Sequence, residues 1–278
     1  MYPSIELFHL SIPTFFAVIC FDVVLCLIFI SYRLDQWLYK QYWLKNDFPQ
    51  KIWAVAAVSL IFGLIGARLT HVFYEMPSYY MEDPVQIFYG WNGGYTFFGG
   101  LIFGIFGGWL TLALMKDQQK ALYFDFFAPV LSLGYLVGRL GCLLNGCCYG
   151  KFCELPWAIK FLDDQGSFLP RHPTQLYAML SEALIFLLLI LIEQKESSYL
   201  KAPKQIRESL LGSVFLLWLM MHSISRFALE FYRDDFRGPE YFLSISSWIS
   251  LCLFSIAAFL LYQKTKSKHS SSVKSKIF

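Results

Sequence analysis

The chain has 278 residues, of which 56% are hydrophobic and only 15% are charged, and its formal net charge is +3. Soluble domains carry roughly 25% charged residues, so this composition excludes an ordinary soluble protein and indicates an integral membrane protein. The length allows one polytopic membrane domain but leaves no room for a sizeable soluble appendage.

Seven segments reach the ~20 apolar residues that a membrane-spanning helix needs. We predict spans at 9–31, 52–74, 95–115, 121–144, 174–192, 209–232 and 242–262. The first is long for a signal-peptide core and has no basic flank, so we predict a retained anchor. The glycines near the end of the fourth span leave open a break into irregular backbone around an enclosed cavity.

Lysine and arginine are divided unequally between the two sets of loops. One set holds Arg33, Lys40, Lys45, Lys51, Lys116, Lys120, Lys195, Lys201, Lys204, Arg207 and the lysines that follow Tyr262. The opposite set holds Lys151, Lys160, Arg171 and Arg237. By the positive-inside rule, the N-terminus is predicted outside and the C-terminus in the cytoplasm.

The predicted fold is therefore an all-α integral membrane protein with seven transmembrane helices. Residues 1–263 form a single polytopic domain, in which the external connection 145–173 folds as a small cap. Residues 264–278 are basic and low in complexity, and we predict a flexible cytoplasmic tail that touches anionic headgroups.

The segment 138–150, GRLGCLLNGCCYG, places Arg139 at the end of an otherwise apolar span. A charge at this depth is costly, usually faces the protein interior and marks a functional site. A guanidinium group is also well shaped to hold a phosphate by paired hydrogen bonds. Arg139 is therefore predicted to grip a phospholipid headgroup.

The sixth predicted span carries one polar stripe. His222, Arg226, Glu230 and Arg233 follow one another at spacings of 4, 4 and 3, which puts them on one helix face. Since the rest of this span is apolar, the stripe must face the bundle interior. An Arg226–Glu230 ion pair is one explanation. A phosphate site is the other, because Arg139 and Arg226 together exceed the charge of one glutamate.

Two further elements admit a structural and a functional interpretation. Gly93-Gly94 and Gly99-Gly100 bracket aromatic residues, and they permit either close approach to a ligand or close helix packing, the commoner use. His172 precedes Pro173 and Thr174, which read as a helix start. A histidine on such a loop is usually solvated, with a chemical role as the alternative.

Four cysteines, Cys142, Cys147, Cys148 and Cys153, cluster near the predicted external face. Their spacing does not match the paired cysteines of zinc sites, so we predict no metal site. A disulfide remains open with its pairing undetermined. A nucleophilic thiol is less favoured because no activating base stands nearby in the sequence.

Taken in order from Gly63 to Arg233, these elements resemble the bacterial prolipoprotein diacylglyceryl transferase family. The glycine pairs resemble its GGxxFxGG element, and the segment from Gly138 matches its GRxGNxxNxExxG signature at most positions. Residues 171–177, RHPTQLY, resemble its RHPSQLYE element. Residues 226–233 resemble its FRxxxEFxR element, so four motifs stand in register.

The resemblance implies transfer of the diacylglyceryl group of phosphatidylglycerol to the lipobox cysteine thiol of a preprolipoprotein, the first step of lipoprotein maturation. It implies a multi-pass protein of the bacterial inner membrane that needs no metal or soluble cofactor. Its partners would be phosphatidylglycerol, signal peptides with a lipobox cysteine and membrane lipids, with no nucleic acid. The implied catalytic residues are Arg139, Arg226 and Glu230. The implied substrate-binding residues are Arg139, Asn145, Gly150, Gly94, Gly99, His172 and Arg233.

Three positions depart from the family pattern. Phe98, Cys142 and Cys147 stand where the pattern has a histidine, an asparagine and a glutamate. Phe98 cannot carry a proton, so we expect the reaction not to depend on a base there, and the cationic cavity to favour the substrate thiolate. His172, and less readily His222, are the alternative bases.

Two other functions stay open at this stage. A non-catalytic relative would keep the lipid cavity and bind phospholipid or lipoprotein precursors. A small transporter is the other, since intramembrane Arg/Glu pairs also serve ion pathways. The ordered motifs and the lack of an internal repeat argue against transport.

Overall fold

A computed structural model of the protein describes residues 4–7, 10–40, 46–90, 93–162, 167–196, 211–234 and 242–274. Several residues used to predict the orientation lie outside these ranges, among them Lys45, Lys201, Lys204, Arg207 and Arg237. Within the described ranges the chain is mostly helical.

Seven long helices form the bundle. They are α1 (Thr14–Lys40), α2 (Phe48–Thr70), α4 (Phe97–Leu114), α5 (Lys120–Asn145), α6 (Thr174–Glu196), α7 (Ser213–Glu230) and α8 (Ile245–Lys274), with a short helix α3 (Pro77–Glu82) between α2 and α4. Among the described residues, six helices, all of these long ones except α7, are long and apolar enough to cross a membrane. The predicted class, a helical membrane protein, is confirmed, while the count of seven spans and their orientation stay predictions.

Two short hairpins add to the helices. Strand β1 (Ser4–Leu7) pairs antiparallel with β2 (Leu10–Pro13), directly before α1. The predicted start of the first span at residue 9 is therefore wrong, because residues 10–13 are extended and use their backbone groups in the hairpin. The fourth span is a regular helix to Asn145 despite its glycines.

The second hairpin lies between α5 and α6. Strand β3 (Ile159–Leu162) pairs with β4 (Phe168–Arg171). An isolated bridge joins Gly150 to Arg233, so the segment after α5 is attached to the end of α7. At the C-terminus α8 continues to Lys274, into the segment predicted as a tail, and the division of the chain at residue 263 stays a prediction.

Helices α2 and α4 pack closely because glycines face each other between them. A Cβ atom on Gly99 would lie 2.6 Å from the carbonyl oxygen of Gly66 and would overlap Thr70 Oγ1. One on Gly107 would lie 2.9 Å from the Phe62 side chain. Small residues let membrane helices approach in this way, which supports the packing interpretation of Gly99.

Ion pairs join the helices at the end of the bundle that lies away from the loop after α5. Arg33 donates to both carboxylate oxygens of Glu193, at 2.8 and 2.7 Å, and Lys51 Nζ lies 2.6 Å from Asp117. Burial raises the pKa of the Asp117 carboxyl, but hydrogen bonds from Lys51, Gln119 and Tyr123 outweigh burial and lower it below its ordinary value. Several basic residues predicted to mark the cytoplasmic side therefore also tie helices together.

Helices α5 and α7 lie side by side and run in the same direction. Near their first residues, the Asp125 carboxylate accepts hydrogen bonds from the backbone N–H groups of Gly212 and Phe215, at 2.5 and 2.8 Å. Near their last residues, Gly150 pairs with Arg233. The register between the two helices is thus fixed at both ends, and this register positions the polar side chains described next.

Candidate active site

Arg139 lies on the penultimate turn of α5 and is 7% exposed. Its guanidinium carbon lies 4.8 Å from the centre of the Tyr135 ring, one turn earlier on the same helix. It is also close enough to the Cys142 and Cys148 thiols and to Arg233 for Coulombic interaction. The expectation that this charge faces the protein interior is confirmed.

The polar stripe of α7 also faces inward. His222, Arg226 and Arg233 are all buried. Arg226 Nη1 lies 2.5 Å from Glu230 Oε2, so the ion pair expected from their spacing is confirmed. Ser244 Oγ donates to the other carboxylate oxygen of Glu230 at 2.8 Å. Glu230 is thereby held from the start of α8 while it holds Arg226.

The two arginines lie at the same level on neighbouring helices. The Tyr135 ring of α5 and the His222 ring of α7 meet edge to face, with their centroids 4.7 Å apart. Arg139 and Arg226 each follow four residues later, a rise of about 6 Å along either helix. Since α5 and α7 are parallel, both guanidinium groups extend from the same layer of the bundle.

A buried glutamate on α6 completes the layer below the arginines. Glu182 accepts hydrogen bonds from Ser132 Oγ and Trp218 Nε1, both at 2.9 Å, and lies 2.9 Å from His222 Nδ1. Glu182 was not predicted as a site residue, although a single glutamate inside an apolar span was a usable signal. Its partners come from two other helices, α5 and α7, and their proximity does not follow from the sequence spacing.

Two buried polar atoms of this layer have no hydrogen-bond partner among the described residues, Tyr135 Oη and His222 Nε2. Buried polar atoms in proteins nearly always have a partner. Phe97 packs against both rings, with its centroid 4.9 Å from Tyr135 and 5.2 Å from His222. These atoms are therefore suited to bind the polar part of a ligand or an ordered water beneath the arginines.

The loop after α5 folds back onto the start of α6 and the end of α7. Asn145 ends α5, and Gly146 follows in the left-handed conformation, with φ +77°. The N–H of Gly150 donates to the carbonyl of His172 at 2.9 Å. A Cβ on Gly150 would overlap the Tyr232 carbonyl oxygen and would lie 2.7 Å from the His172 Cβ, so only glycine fits this crossing.

His172 stands in the wall beside this loop. Its Nδ1 lies 3.1 Å from Tyr177 Oη, and that hydroxyl accepts a hydrogen bond from Trp157 Nε1 at 2.8 Å. Tyr177 can therefore donate its own hydrogen to His172 Nδ1, which leaves Nε2 for other contacts. The histidine is held in place by aromatic neighbours and is not simply solvated.

The glycine pairs before α4 lie against α2. Gly94 has φ +80°, and its carbonyl accepts from Arg68 Nη1 at 3.0 Å. Phe98 is 4% exposed and belongs to an apolar cluster with Leu101 and Trp218. The structure gives Gly94 and Gly99 contacts with α2, and their predicted part in substrate binding stays a prediction.

None of the seven cysteines, all of which are described, forms a disulfide bond. The sulfur atoms of Cys142, Cys147 and Cys148 lie within 4.8 Å of one another. A hydrogen bond with Cys142 lowers the pKa of the Cys147 thiol, but a hydrogen bond with Cys148 and burial raise it further, to about 11. Cys147 is thus a neutral thiol at neutral pH.

The fold and the site define an integral membrane protein with a cluster of buried arginines between its helices. Residues 4–263 match the sequence model of the family described as prolipoprotein diacylglyceryl transferase. The chain belongs to this family.

Curated relatives carry the name phosphatidylglycerol–prolipoprotein diacylglyceryl transferase. The protein of Paracidovorax citrulli is 32% identical over 209 residues, covering 74% of this chain and 70% of its own. The protein of Bordetella parapertussis is 36% identical over 195 residues, covering 68% of each chain. That of Bordetella avium is 35% identical over 219 residues, covering 74% of this chain and 75% of its own.

Proposed function

We propose that this chain transfers the diacylglyceryl group of phosphatidylglycerol to the lipobox cysteine thiol of a preprolipoprotein in the bacterial inner membrane. Membership of the family supports the reaction. The observation that carries the proposal for this chain is the pair of buried arginines, Arg139 and Arg226, one turn beyond the Tyr135–His222 contact on parallel helices.

Arg139 is proposed to bind the phosphate of the lipid headgroup. A guanidinium can donate two parallel hydrogen bonds to a phosphate and keeps its charge at any physiological pH. Arg226 is already paired with Glu230, so Glu230 orients it and lowers the cost of burying it. Arg233 adds positive charge near Arg139 from the segment that follows α7. Asn145 and Gly150 shape the loop that closes this side.

The reaction is a substitution at the glycerol carbon that bears the phosphate ester. The cysteine sulfur forms a C–S bond to this carbon, the C–O bond breaks, and its electron pair leaves on the phosphate oxygen of glycerol phosphate. The thiol proton is released, and no oxidant or reductant is consumed. The phosphate carries one negative charge in the lipid and a second one develops as it leaves.

Because negative charge grows during the reaction, fixed arginines stabilise the transition state more than the bound lipid, which is the condition for catalysis. The same positive field favours the thiolate form of the incoming cysteine. This proposal needs no base at Phe98, which lies in the apolar core. Of the two alternative bases, His222 becomes the better placed, because Glu182 lies against its Nδ1 and its Nε2 has no hydrogen-bond partner among the described residues, whereas Tyr177 is bonded to His172 Nδ1.

Complementation tests the proposal. The chain is expressed in a bacterium depleted of its own transferase, and survival and lipoprotein modification are measured. We expect the parent to restore both, and so should Lys151→Ala, which removes an exposed charge in the loop after α5. Arg139→Ala should restore neither, although it is present in the membrane in the same amount as the parent. A parent that inserts and binds phosphatidylglycerol but modifies nothing would instead be the non-catalytic relative.

A further inference from the structure

Three cysteines on one side of Arg139 bring their sulfur atoms together. Cys142 lies on the last turn of α5, and Cys147 and Cys148 follow the helix end. Each offers one sulfur, and the three sulfurs lie within 4.8 Å of one another. Three thiolates around one metal ion at ~2.3 Å would be about 4 Å apart, so shifts of less than about 1 Å would suffice.

The end of α5 produces this arrangement. The left-handed Gly146 reverses the chain, and the N–H of Cys147 donates to the carbonyl of Cys142 at 3.1 Å. This bond between residues five apart closes a Schellman-type helix end and returns Cys147 over Cys142. Cys148 then adopts φ +64°, a left-handed conformation that is uncommon for a residue with a side chain.

The start of α6 holds the loop in this conformation. Gln175 Nε2 donates to the carbonyl of Cys147 at 2.6 Å, and Thr174 Oγ1 donates to the carbonyl of Cys148 at 2.7 Å. Both side chains are almost fully buried, with Gln175 at 0% and Thr174 at 2% exposed. The backbone of the two loop cysteines is therefore fixed from outside the cluster, and a ligand would not have to order it.

We propose that Cys142, Cys147 and Cys148 bind one soft, thiophilic metal ion through their three sulfur atoms, and that monovalent copper is the ion this set suits. Thiolates select soft ions, whereas carboxylates and water suit magnesium or calcium. Among the described residues, no histidine, carboxylate or fourth cysteine belongs to the cluster, which favours three-coordinate copper over tetrahedral zinc.

Nearby positive charge supports the site. Three thiolates and one monovalent ion carry a net charge of −2, which is costly to bury alone. Arg139 is within Coulombic reach of Cys142 and Cys148, and Arg233 is close to Arg139. Neither the family resemblance nor the proposed transfer reaction requires this site, because Cys142 and Cys147 stand where the family pattern has other residues.

Copper titration of the full-length protein tests the proposal. The chain, purified in detergent and reduced under argon, is titrated with Cu(I) in competition with a chromogenic Cu(I) chelator. We expect one Cu(I) per chain. Alkylation read by mass spectrometry should show Cys142, Cys147 and Cys148 protected together by Cu(I), while the extent of alkylation of Cys20 and Cys252, which lie outside the cluster, should not change.

Serine variants separate the cluster from its neighbours. Cys142→Ser and Cys148→Ser should each weaken Cu(I) binding by at least about tenfold, since even the loss of outer-shell partners costs this much. Cys153→Ser, a buried cysteine nearby in the sequence but outside the cluster, is the matched control and should bind as the parent does.

Three outcomes would overturn the proposal. One is a fully reduced parent that binds no Cu(I), whether or not a disulfide in the cluster had to be reduced first. Another is a parent whose three cluster thiols are alkylated equally with and without Cu(I). This second test uses only the parent protein and does not depend on the folding of a variant. The third is a Cys153→Ser variant that loses as much affinity as Cys142→Ser.

Discussion

Arg139 on α5 stacks on an aromatic ring, a contact that a lysine at this position would make less well. The Arg139 guanidinium lies over the Tyr135 ring, at 4.8 Å from its centre, and stacking on a ring does not use the N–H donors of a guanidinium. A planar fork can stack on the ring and bind a phosphate by two hydrogen bonds at once, which a compact ammonium cannot. Geometry as well as charge therefore underlies its proposed role.

Substitution of Arg139 tests this role. We expect Arg139→Ala to lower the rate of lipid transfer by about 100-fold or more, because it removes a donor to developing negative charge. Arg139→Lys should not restore activity, with a rate still at least about tenfold below the parent. Initial rates with labelled phosphatidylglycerol measure both. A lysine variant with parental rates would show that a point charge is sufficient.

The substrate cysteine must lose its thiol proton during the transfer. A cysteine thiol has a pKa near ~8.5, so only a few per cent is thiolate at neutral pH. If the arginines activate the thiol, the transfer rate should rise with pH below this pKa and then level off. His172→Ala should keep the same pH profile, because Tyr177 donates to His172 Nδ1 and the ring proton is then on Nε2, which leaves no free nitrogen to accept the thiol proton.

Phe98→His is the matched comparison in the same pH series. Phe98 lies in the apolar core with Leu101 and Trp218, so an imidazole there should destabilise the protein without raising the rate. A pH profile that changes in His172→Ala, beyond any uniform loss of rate from weaker substrate binding, would contradict the arginine-activated mechanism. An inactive parent that Phe98→His restores would contradict the transferase proposal itself.

Single residues differed in how far the sequence could predict them. The inward position of Arg139 and the Arg226–Glu230 pair follow from local spacing on apolar helices, and both are confirmed. The contacts of Glu182 with Ser132 and Trp218 depend on which helices face each other, which spacing does not specify. The thiol cluster needed the helix-end geometry at Gly146, which the cysteine spacing alone did not reveal.

At the scale of elements, the loop after α5 joins three helix ends. The backbone at Gly150 passes so close to Tyr232 and His172 that there is no room for a side chain. The N–H of Lys151 donates to the Tyr232 carbonyl at 2.8 Å. This crossing sets where Arg233 stands relative to Arg139. The loop is therefore expected to control the geometry of the candidate site without supplying a reacting group.

Two glycine substitutions in the same motif test this crossing. Gly150→Ala should destabilise the fold by about 1–3 kcal/mol through overpacking, and should impair transfer. Gly138→Ala is the control, because a Cβ there meets no atom within 4 Å. It should change stability by about 1 kcal/mol at most, in the stabilising direction. Thermal unfolding in detergent measures both, and equal destabilisation would show that the crossing is not special.

The helices themselves were largely predictable because their apolar segments are long. The helix start at Thr174 after Pro173 is confirmed, and the ends of α5 agree within one residue of those expected. The two hairpins were not predicted, since strands of four residues carry too little alternation to detect. The hairpin before α1 moved the start of that helix by using residues 10–13 in an extended conformation.

At the scale of the whole molecule, the two ends of the bundle differ in chemistry. One end holds the ion pairs Arg33–Glu193 and Lys51–Asp117, and the other holds the loop after α5 and the arginine site. The uneven distribution of lysine and arginine predicts that the first end faces the cytoplasm. The site would then open to the outer face, where a translocated signal peptide presents its cysteine.

Accessibility labelling tests this orientation. Single reporter cysteines at positions 40, 85, 160, 200 and 270, in a background without native cysteines, are exposed to a membrane-impermeant reagent. Positions 85 and 160 should react in intact cells, and positions 40, 200 and 270 only after the membrane is opened. Labelling of position 160 only from the cytoplasm would reverse the topology.

We propose above all that this chain joins a lipid to a cysteine at the site formed by Arg139 and Arg226. The most direct measurement is mass spectrometry of a synthetic lipobox peptide incubated with the purified protein in vesicles that contain phosphatidylglycerol. We expect a peptide that carries one diacylglyceryl group on its cysteine sulfur, with glycerol phosphate released in equal amount, and no adduct with Arg139→Ala. An unmodified peptide under these conditions, or the same adduct from Arg139→Ala, would contradict it.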